Sequence, residues 1–441
     1  MSFSAYPVYK ESGVEWLGEV PEHWEVTKLS YVTSRIGSGK TPSGGAAAYA
    51  SSGVPFIRSQ NVHDQGLRLD DIVYIDEETD TEMAWSRVRP LDVLINITGA
   101  SIGRSCQVPA KFGRANVNQH VCVIRLDKAV ETSDWVAWFM KSPSSKEQVK
   151  VSQTGAAREG LNFEQLAGFY LCMPPLHERK LITAFLDHET ARIDALIEEQ
   201  QRLIELLKEK RQAVISHAVT KGLDSTVPMK DSSVEWLGEV PAHWGLSKLK
   251  FLCTIQTGDK DTVNAKEDGE YDFFVRSQTV ERIDSFTFDC EAVLTAGDGV
   301  GVGKVFHYAN GKFDFHQRVY MLNKFRLVCG EFVFHYLKEN FYKVALAGEA
   351  KSTVDSLRMA TFLNFMFTVP SEAEQIQIIK FVKAESEKFD SLVSEAEVGV
   401  CLLKERRSAL ISAAVTGKID VRDWQPTAST QAPELAVAEA V

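Results

Sequence analysis

"SGVEWLGEVPEHWEVTKLSY", residues 12–31, returns as "SSVEWLGEVPAHWGLSKLKF", residues 232–251, at an offset of 220 positions. Both copies keep Glu-Trp-Leu-Gly-Glu-Val-Pro, then His-Trp, then Lys-Leu. A second pair starts at Phe185, "FLDHETARIDALIEEQQRLIELLKEKRQAVISHAVTKGLD", and returns from Phe381 as "FVKAESEKFDSLVSEAEVGVCLLKERRSALISAAVTGKID", at an offset of 196. Self-similarity on this scale means that one structural plan is used twice. The offsets differ by 24, so the material between the paired elements is that much shorter in the second copy. Each half therefore reads as one variable domain followed by one long helix.

The helices follow from period. Ile193, Leu196, Ile197, Leu203, Leu207 and Val214 recur at spacings of three, four or seven, as do Phe389, Leu392, Val393, Val400, Leu403 and Leu410. Pro174-Pro175 and Pro370 lie just upstream, where proline can precede a helix without interrupting it. A rod from Glu189 to Lys221 would be about 50 Å long. One narrow apolar stripe on such a rod calls for a partner helix, and the other copy can supply it. In the variable regions, "VPFIRSQNV", "DVLINITG" and "HVCVIRL" are short, β-branched and bounded by turn residues, which predicts strands. "SDWVAWFMKS" and "GEFVFHYLKENF" predict short amphipathic helices.

Composition is that of a globular protein, 44% apolar and 25% charged. No apolar run reaches membrane-helix length and the first residues do not resemble a signal peptide, so a cytoplasmic location is expected. The seven cysteines lack zinc spacing and are expected to be reduced. The net charge of −11 argues against a polyanionic partner, but its distribution does not. Residues 26–63 and 93–126 contain no Asp or Glu, and residues 299–330 contain only Asp314. Locally positive surface on an acidic chain suits a groove for nucleic acid.

"RIGSGKTPSGG", residues 35–45, superficially resembles a phosphate-binding loop. Ser34 stands where that loop needs its first glycine, and "TPSGG" would break the helix that must follow, so an NTPase is excluded. "MPPL" is not an adenine-methyltransferase motif, and "EAK" (349–351) lacks an acidic partner for a nuclease site. No catalytic constellation emerges. What repeats instead is a skeleton: "PFIRSQNV" with "FFVRSQTV", "GASIGRS" with "GVGVGKV", and "VNQHV" with "FHQRV". The opening loop "IGSGKTPSGG" faces "QTGDKDTVNA", where only lysine survives, as Lys40 and Lys260. A kept scaffold with changed loops fits two readers of different texts.

On these motifs, taken in order and twice over, the chain resembles the specificity subunits of type I restriction-modification systems. The "GEVPEHW" head, the "GKTPS" loop, the "IRSQNV" strand, the Gly-x-x-x-Gly segment, "NQH", and "PPLHER" or "PSEAEQ" carry the likeness. The resemblance implies an α+β fold in which two mixed α/β target recognition domains are separated by a pair of long antiparallel coiled-coil helices, with a pseudo-twofold internal repeat. The expected divisions are 1–173 and 225–369 for the recognition domains, 174–224 and 370–422 for the helices, and 423–441 for a disordered tail. It further implies a non-catalytic subunit that reads a bipartite, asymmetric site on double-stranded DNA. Two modification subunits and the restriction subunits would be its partners, and S-adenosylmethionine, ATP and Mg²⁺ would belong to them. A stand-alone bivalent regulator and a fused nuclease are the competing readings.

For phosphates the candidates are Arg35, Lys40, Lys111, Lys260, Lys304 and Lys312. For base edges they are Arg58, Gln60, Asn118, Gln119, His120, Arg276, Gln278, His316, Gln317 and Arg318. Thr41, Asn61 and Arg104 complete the DNA-facing set. Arg58 and Arg276, kept in both copies, are equally suited to brace the scaffold.

Overall fold

The computed structural model describes residues 3–45, 49–127, 133–153, 160–299, 301–345, 357 and 359–426. Contacts divide the chain into two units, residues 1–199 with 399–441 and residues 200–398.

In the first unit an antiparallel sheet has the strand order Ser105–Gln107, Val93–Asn96, Val121–Leu126, Thr33–Ser38. A smaller sheet places Val54–Ile57 between Val73–Ile75 and Asn116–Val117, the latter pairing parallel. The second unit joins equivalent strands into one six-stranded sheet, in the order Thr254–Thr257, Val319–Asn323, Phe288–Ala296, Phe306–Phe315, Tyr271–Phe274, Glu281–Ile283. The amphipathic segments form helices Ser133–Lys141 and Gly330–Asn340, which bury Trp135, Phe139, Phe332 and Tyr336.

The long helices span Leu176–Lys221 and Glu372–Val415. At 46 residues the first is roughly 70 Å long. Within each unit they run antiparallel. In the first unit Arg407 meets Asp194 and, further along, Phe185 meets Trp424. In the second, Arg211 meets Asp390 while Ile215 and Val219 share a core with Ile378 and Val382. The seam corrects part of the predicted stripe. Ile193, Ile204 and Ile215 are buried, whereas Leu196, Leu203 and Leu392 are exposed. The leucines sit one position beside the buried isoleucines or at the stripe's edge, where a 3.6-residue period alone does not tell seam from flank.

The repeated "VPxHW" motif joins each sheet domain to the helices. His23 and Trp24 both bond to Glu178 in the first turn of the first long helix, at 2.7 and 2.9 Å. His243 and Trp244 bond to Glu374 in the first turn of the second, at 2.8 and 2.9 Å. From the other side, the end of the opposite helix closes on the motif. Gly417, at φ +70°, leaves no room for a Cβ beside Pro21, and Lys418 donates to the Glu19 carbonyl at 2.7 Å. Gly222, at φ +83°, lies against Trp244, and Lys221 donates to the Glu239 carbonyl at 2.8 Å. Most of the expected tail, residues 427–441, lies outside the described residues, but Trp424 is packed, with its ring 5.4 Å from that of Phe185.

Candidate nucleic-acid interface

In the first unit the Gly39 amide donates to the Asn118 carbonyl at 3.1 Å, and a Cβ on Gly39 would fall 1.7 Å from the Val117 carbonyl oxygen. Glycine is therefore required where the opening loop crosses the Asn118–His120 turn. Gly258 does the same in the second unit, its added Cβ falling 2.1 Å from the Phe315 carbonyl oxygen. The strand registers agree, with Ser38 opposite Cys122 and Thr257 opposite Tyr320. This corrects the loop alignment by one residue: Lys260 occupies the place of Thr41, and Lys40 corresponds to Asp259. Thr41 bonds to the Gln119 side chain, whereas the Lys260 carbonyl accepts from the Gln317 amide at 2.8 Å.

The Gly-x-x-x-Gly segments also share backbone angles and turn hydrogen bonds. Gly99 and Gly299 have φ of +75° and +78°, and Gly103 and Gly303 of +80° and +71°. Arg104 donates its amide to the Ser101 carbonyl, and Lys304 donates to that of Gly301, both at 3.0 Å. The same two turns thus present Arg104 in one unit and Lys304 in the other.

In the first unit these pieces enclose a cleft of about 410 Å³ lined by Gln60, Arg104 and His120 with Ser59, Thr98 and Ser101. No carboxylate lines it. Gln119 bonds to His120 Nε2 at 2.9 Å and Thr98 to Nδ1 at 2.6 Å. With Gln119 donating to Nε2, the Nδ1–H of the ring donates to the Thr98 hydroxyl oxygen. In the second unit the corresponding pair is Arg318 and Asp298, 3.4 Å apart, and Asp298 also holds Arg276 at 2.7 Å. Gln317 donates to Asp261 at 2.7 Å. Asp261 and Asp298 were not among the sequence candidates, because a scan for cations passes over the acids that aim them.

Several candidates serve as braces instead. Asn61 is 1% exposed, accepting from the Arg58 amide and donating to the Arg68 carbonyl, both at 2.9 Å. Asn118 and His316 are buried, and each accepts the amide two residues ahead, that of His120 or Arg318. Burial pushes the His316 imidazole below its usual range, despite the opposing pull of Asp261. Arg58 donates to the Asp71 carbonyl at 2.7 Å and lies over Tyr49, away from its expected role on a base edge. Arg276, its aligned partner, lies beside Gly299 and pairs with Asp298 instead. Gln278 and Lys40 are exposed, with no side-chain bond among the described residues. Lys312 lies over the Phe286 ring at 4.5 Å. Arg35 and Lys111 are not brought to the first cleft. Arg35 pairs with Arg125 at the opposite end of the strand that starts at Val121, and Lys111 lies in the turn that follows Val108, which bonds to Asp92 at that same end.

Among the described residues no group of three or more His, Cys, Asp or Glu side chains is placed to hold a metal ion, and no helix is long and apolar enough to cross a membrane.

Comparison with known proteins places the chain among relatives. The chain is 30% identical over 195 residues to the type I restriction enzyme EcoDI specificity subunit of Escherichia coli, covering 43% of this chain and 41% of that one. It is 25% identical over 238 residues to the EcoKI specificity subunit of Escherichia coli strain K12, covering 53% and 48%. The matches thus span about half the length of these curated relatives. Its fold resembles a chain from a solved type I R-M system, with TM-score 0.67, 14% identity, and coverage of 91% of this chain and 99% of that one. It also resembles the HsdS subunit from Thermoanaerobacter tengcongensis, with TM-score 0.50, 13% identity, and coverage of 91% and 98%. The family described as type I restriction modification DNA specificity domain matches residues 21–207 and again 241–392. With two matched segments covering most of its length, on a twice-built fold, the chain belongs to the type I restriction-modification DNA specificity family.

Proposed function

We propose that this chain is the DNA-recognition subunit of a type I restriction-modification complex, with each unit reading one half of a bipartite, asymmetric site on double-stranded DNA. The observation that carries this reading is a conserved frame with exchanged tips. Gly39 and Gly258, Gly99 and Gly299, and Asn118 and His316 hold the same backbone in both units. The outward groups change at matched positions: His120 and Arg104 in one unit stand where Arg318 and Lys304 stand in the other, and the shared glutamine bonds to His120 as Gln119 but to Asp261 as Gln317. Amide, imidazole and guanidinium groups discriminate base edges in the major groove, while Lys40 and the cations beside the glycine turns suit phosphates.

In this reading the long helices set the spacer between half-sites and receive two modification subunits, the adenine methyltransferases, with restriction subunits joining the assembly. Leu203, Leu206 and Leu402, exposed on the helices, supply apolar surface for that docking. Methyl transfer and ATP-driven cleavage fall to the partners, and the chain itself acts without catalysis in the cytoplasm.

The test is co-expression with candidate modification subunits, sizing of the complex by light scattering, and a methylation map of the host DNA. Two modification subunits per chain, with adenine methylation at a split asymmetric motif, are the expected result. A chain that stays alone and binds one DNA site tightly without partners would instead be an independent regulator.

A further inference from the structure

At the end of the first unit's sheet away from the Gln60–His120 cleft, five arginines, Arg35, Arg87, Arg89, Arg114 and Arg125, line a second cleft of about 460 Å³ together with Trp85. No carboxylate lines it. The acids lie behind the wall. Asp80, fully buried, takes Arg87 at 2.6 Å, and Asp92, 3% exposed, takes Arg125 through bonds of 2.9 and 2.6 Å. Arg114 pairs with Glu77 on the surface. Arg35 and Arg89 are left with no carboxylate at ion-pair distance among the described residues.

Arg35 is also the direct cross-strand neighbour of Arg125. Like charges facing each other across an antiparallel pair are destabilising. Burial and the nearby Arg125 hold the Arg35 guanidinium below its usual range, against the opposing pull of Asp92, with Arg89 adding a smaller push. The fold itself does not require these groups. Strand register places Thr254, Ala292 and Asn323 of the second unit where the first has Arg35, Asp92 and Arg125. Trp85 is 49% exposed with the Arg35 guanidinium 5.9 Å from its ring centre. It is turned outward because the next residue, Ser86, is anchored inward by bonds to Asn116 at 2.6 Å and the Met83 carbonyl at 3.0 Å.

We propose that this cleft is a nucleotide site, in which Arg35 and Arg89 bind a phosphate group and Trp85 stacks on the base. A phosphate gives Arg35 and Arg89 the counter-charge that Asp92 already gives Arg125, and an exposed indole beside a guanidinium is a stacking platform for any base. The phosphate can belong to a free nucleotide or to a DNA strand passing over the unit. Arg35 lies four residues, about 13 Å, along its strand from Gly39, so the site is separate from the proposed base-reading cleft.

The experiment is calorimetric titration of the full chain with AMP and with inorganic phosphate, alongside duplex-DNA binding at several salt concentrations. The variants are Arg35→Thr, which installs the residue of the second unit, Arg89→Ala and Trp85→Ala. For a free-nucleotide site, wild type takes up one AMP per chain, and either arginine variant weakens it by about tenfold, the worth of one charge-assisted contact. Trp85→Ala then weakens AMP while sparing phosphate. If AMP does not bind but Arg35→Thr lowers the salt slope of DNA binding by about one, the site takes a DNA phosphate. No AMP uptake together with an unchanged salt slope in both arginine variants overturns the proposal. Since the AMP titration uses no DNA, its result is independent of whether the half-site reading holds.

Discussion

The guanidinium of Arg407 holds the carboxylate of Asp194 through two hydrogen bonds, of 2.8 and 3.1 Å. Moving each residue by the repeat offset of 196 exchanges the roles and gives Arg211 and Asp390, which face each other at 3.3 Å in the other unit. The internal repeat therefore extends to individual contacts between the helices. Asp194 is 42% exposed, so Asp194→Ala should lower stability by about 1 kcal/mol or less. Asp194→Arg should cost more, and adding Arg407→Asp should recover most of the loss, as measured by a double-mutant cycle in urea. A loss undiminished in the double variant would show that the pair does not couple.

The two His-Trp clamps should differ in strength. Glu178 is 3% exposed and receives Trp24, His23 and the Tyr6 hydroxyl, the last at 3.2 Å. Glu178→Ala leaves buried donors without an acceptor and should cost about 2 to 3 kcal/mol, more than Glu374→Ala, whose carboxylate is 31% exposed. Burial would raise the Glu374 carboxyl, but bonds from Ser371, Trp244 and His243 prevail and hold it at about 2, against an ordinary 4.5. Its contribution is therefore complete above pH 4.5 and fades as pH falls toward 2. Acid titration of thermal stability should show that loss in wild type and a smaller one in Glu374→Gln.

Gly39→Ala and Gly258→Ala should each displace the loop they anchor, because the added methyl meets a backbone carbonyl that cannot turn aside. The expected outcome is loss of recognition at one half-site, with the other read normally. Methylation mapping in cells carrying each variant would separate the two effects.

Asp298→Ala should free Arg276 and Arg318 together. Duplex-DNA affinity should rise at low salt, the salt slope should steepen by about one to two, and selectivity at the second half-site should relax. Binding isotherms on matched and mismatched duplexes check all three, and an unchanged slope would mean that neither arginine reaches a phosphate once released.

The repeat, the long helices and the principal strands were legible because each rests on a period or on local punctuation. Which apolar residues form the seam was less so: Leu196 and Ile193 fit one stripe equally, and only the packed partner selects Ile193. At the interface the glycines and the three recurring strips were visible, but the roles of polar side chains were not. Asn61, Asn118 and His316 carry groups able to read a base, and burial commits them to the backbone instead. The one-residue slip between Lys40 and Lys260 has a similar cause. Matching lysines aligned the strings, whereas carbonyls pressed against Gly39 and Gly258 fix the true correspondence.

The closing contacts on Trp24 also dictate an order of events at the ribosome. The first unit is completed by residues 411–424, made long after its sheet has emerged. At about 5 to 20 residues per second the stretch from residue 199 to Gly417 takes roughly 10 to 45 seconds, and for that interval the cap over Pro21 and Trp24 does not yet exist. The unit whose sheet is made first is thus closed only after the whole of the second unit has been made, and a chain broken off just before residue 411 would hold every residue of the second unit while the first lacked its cap.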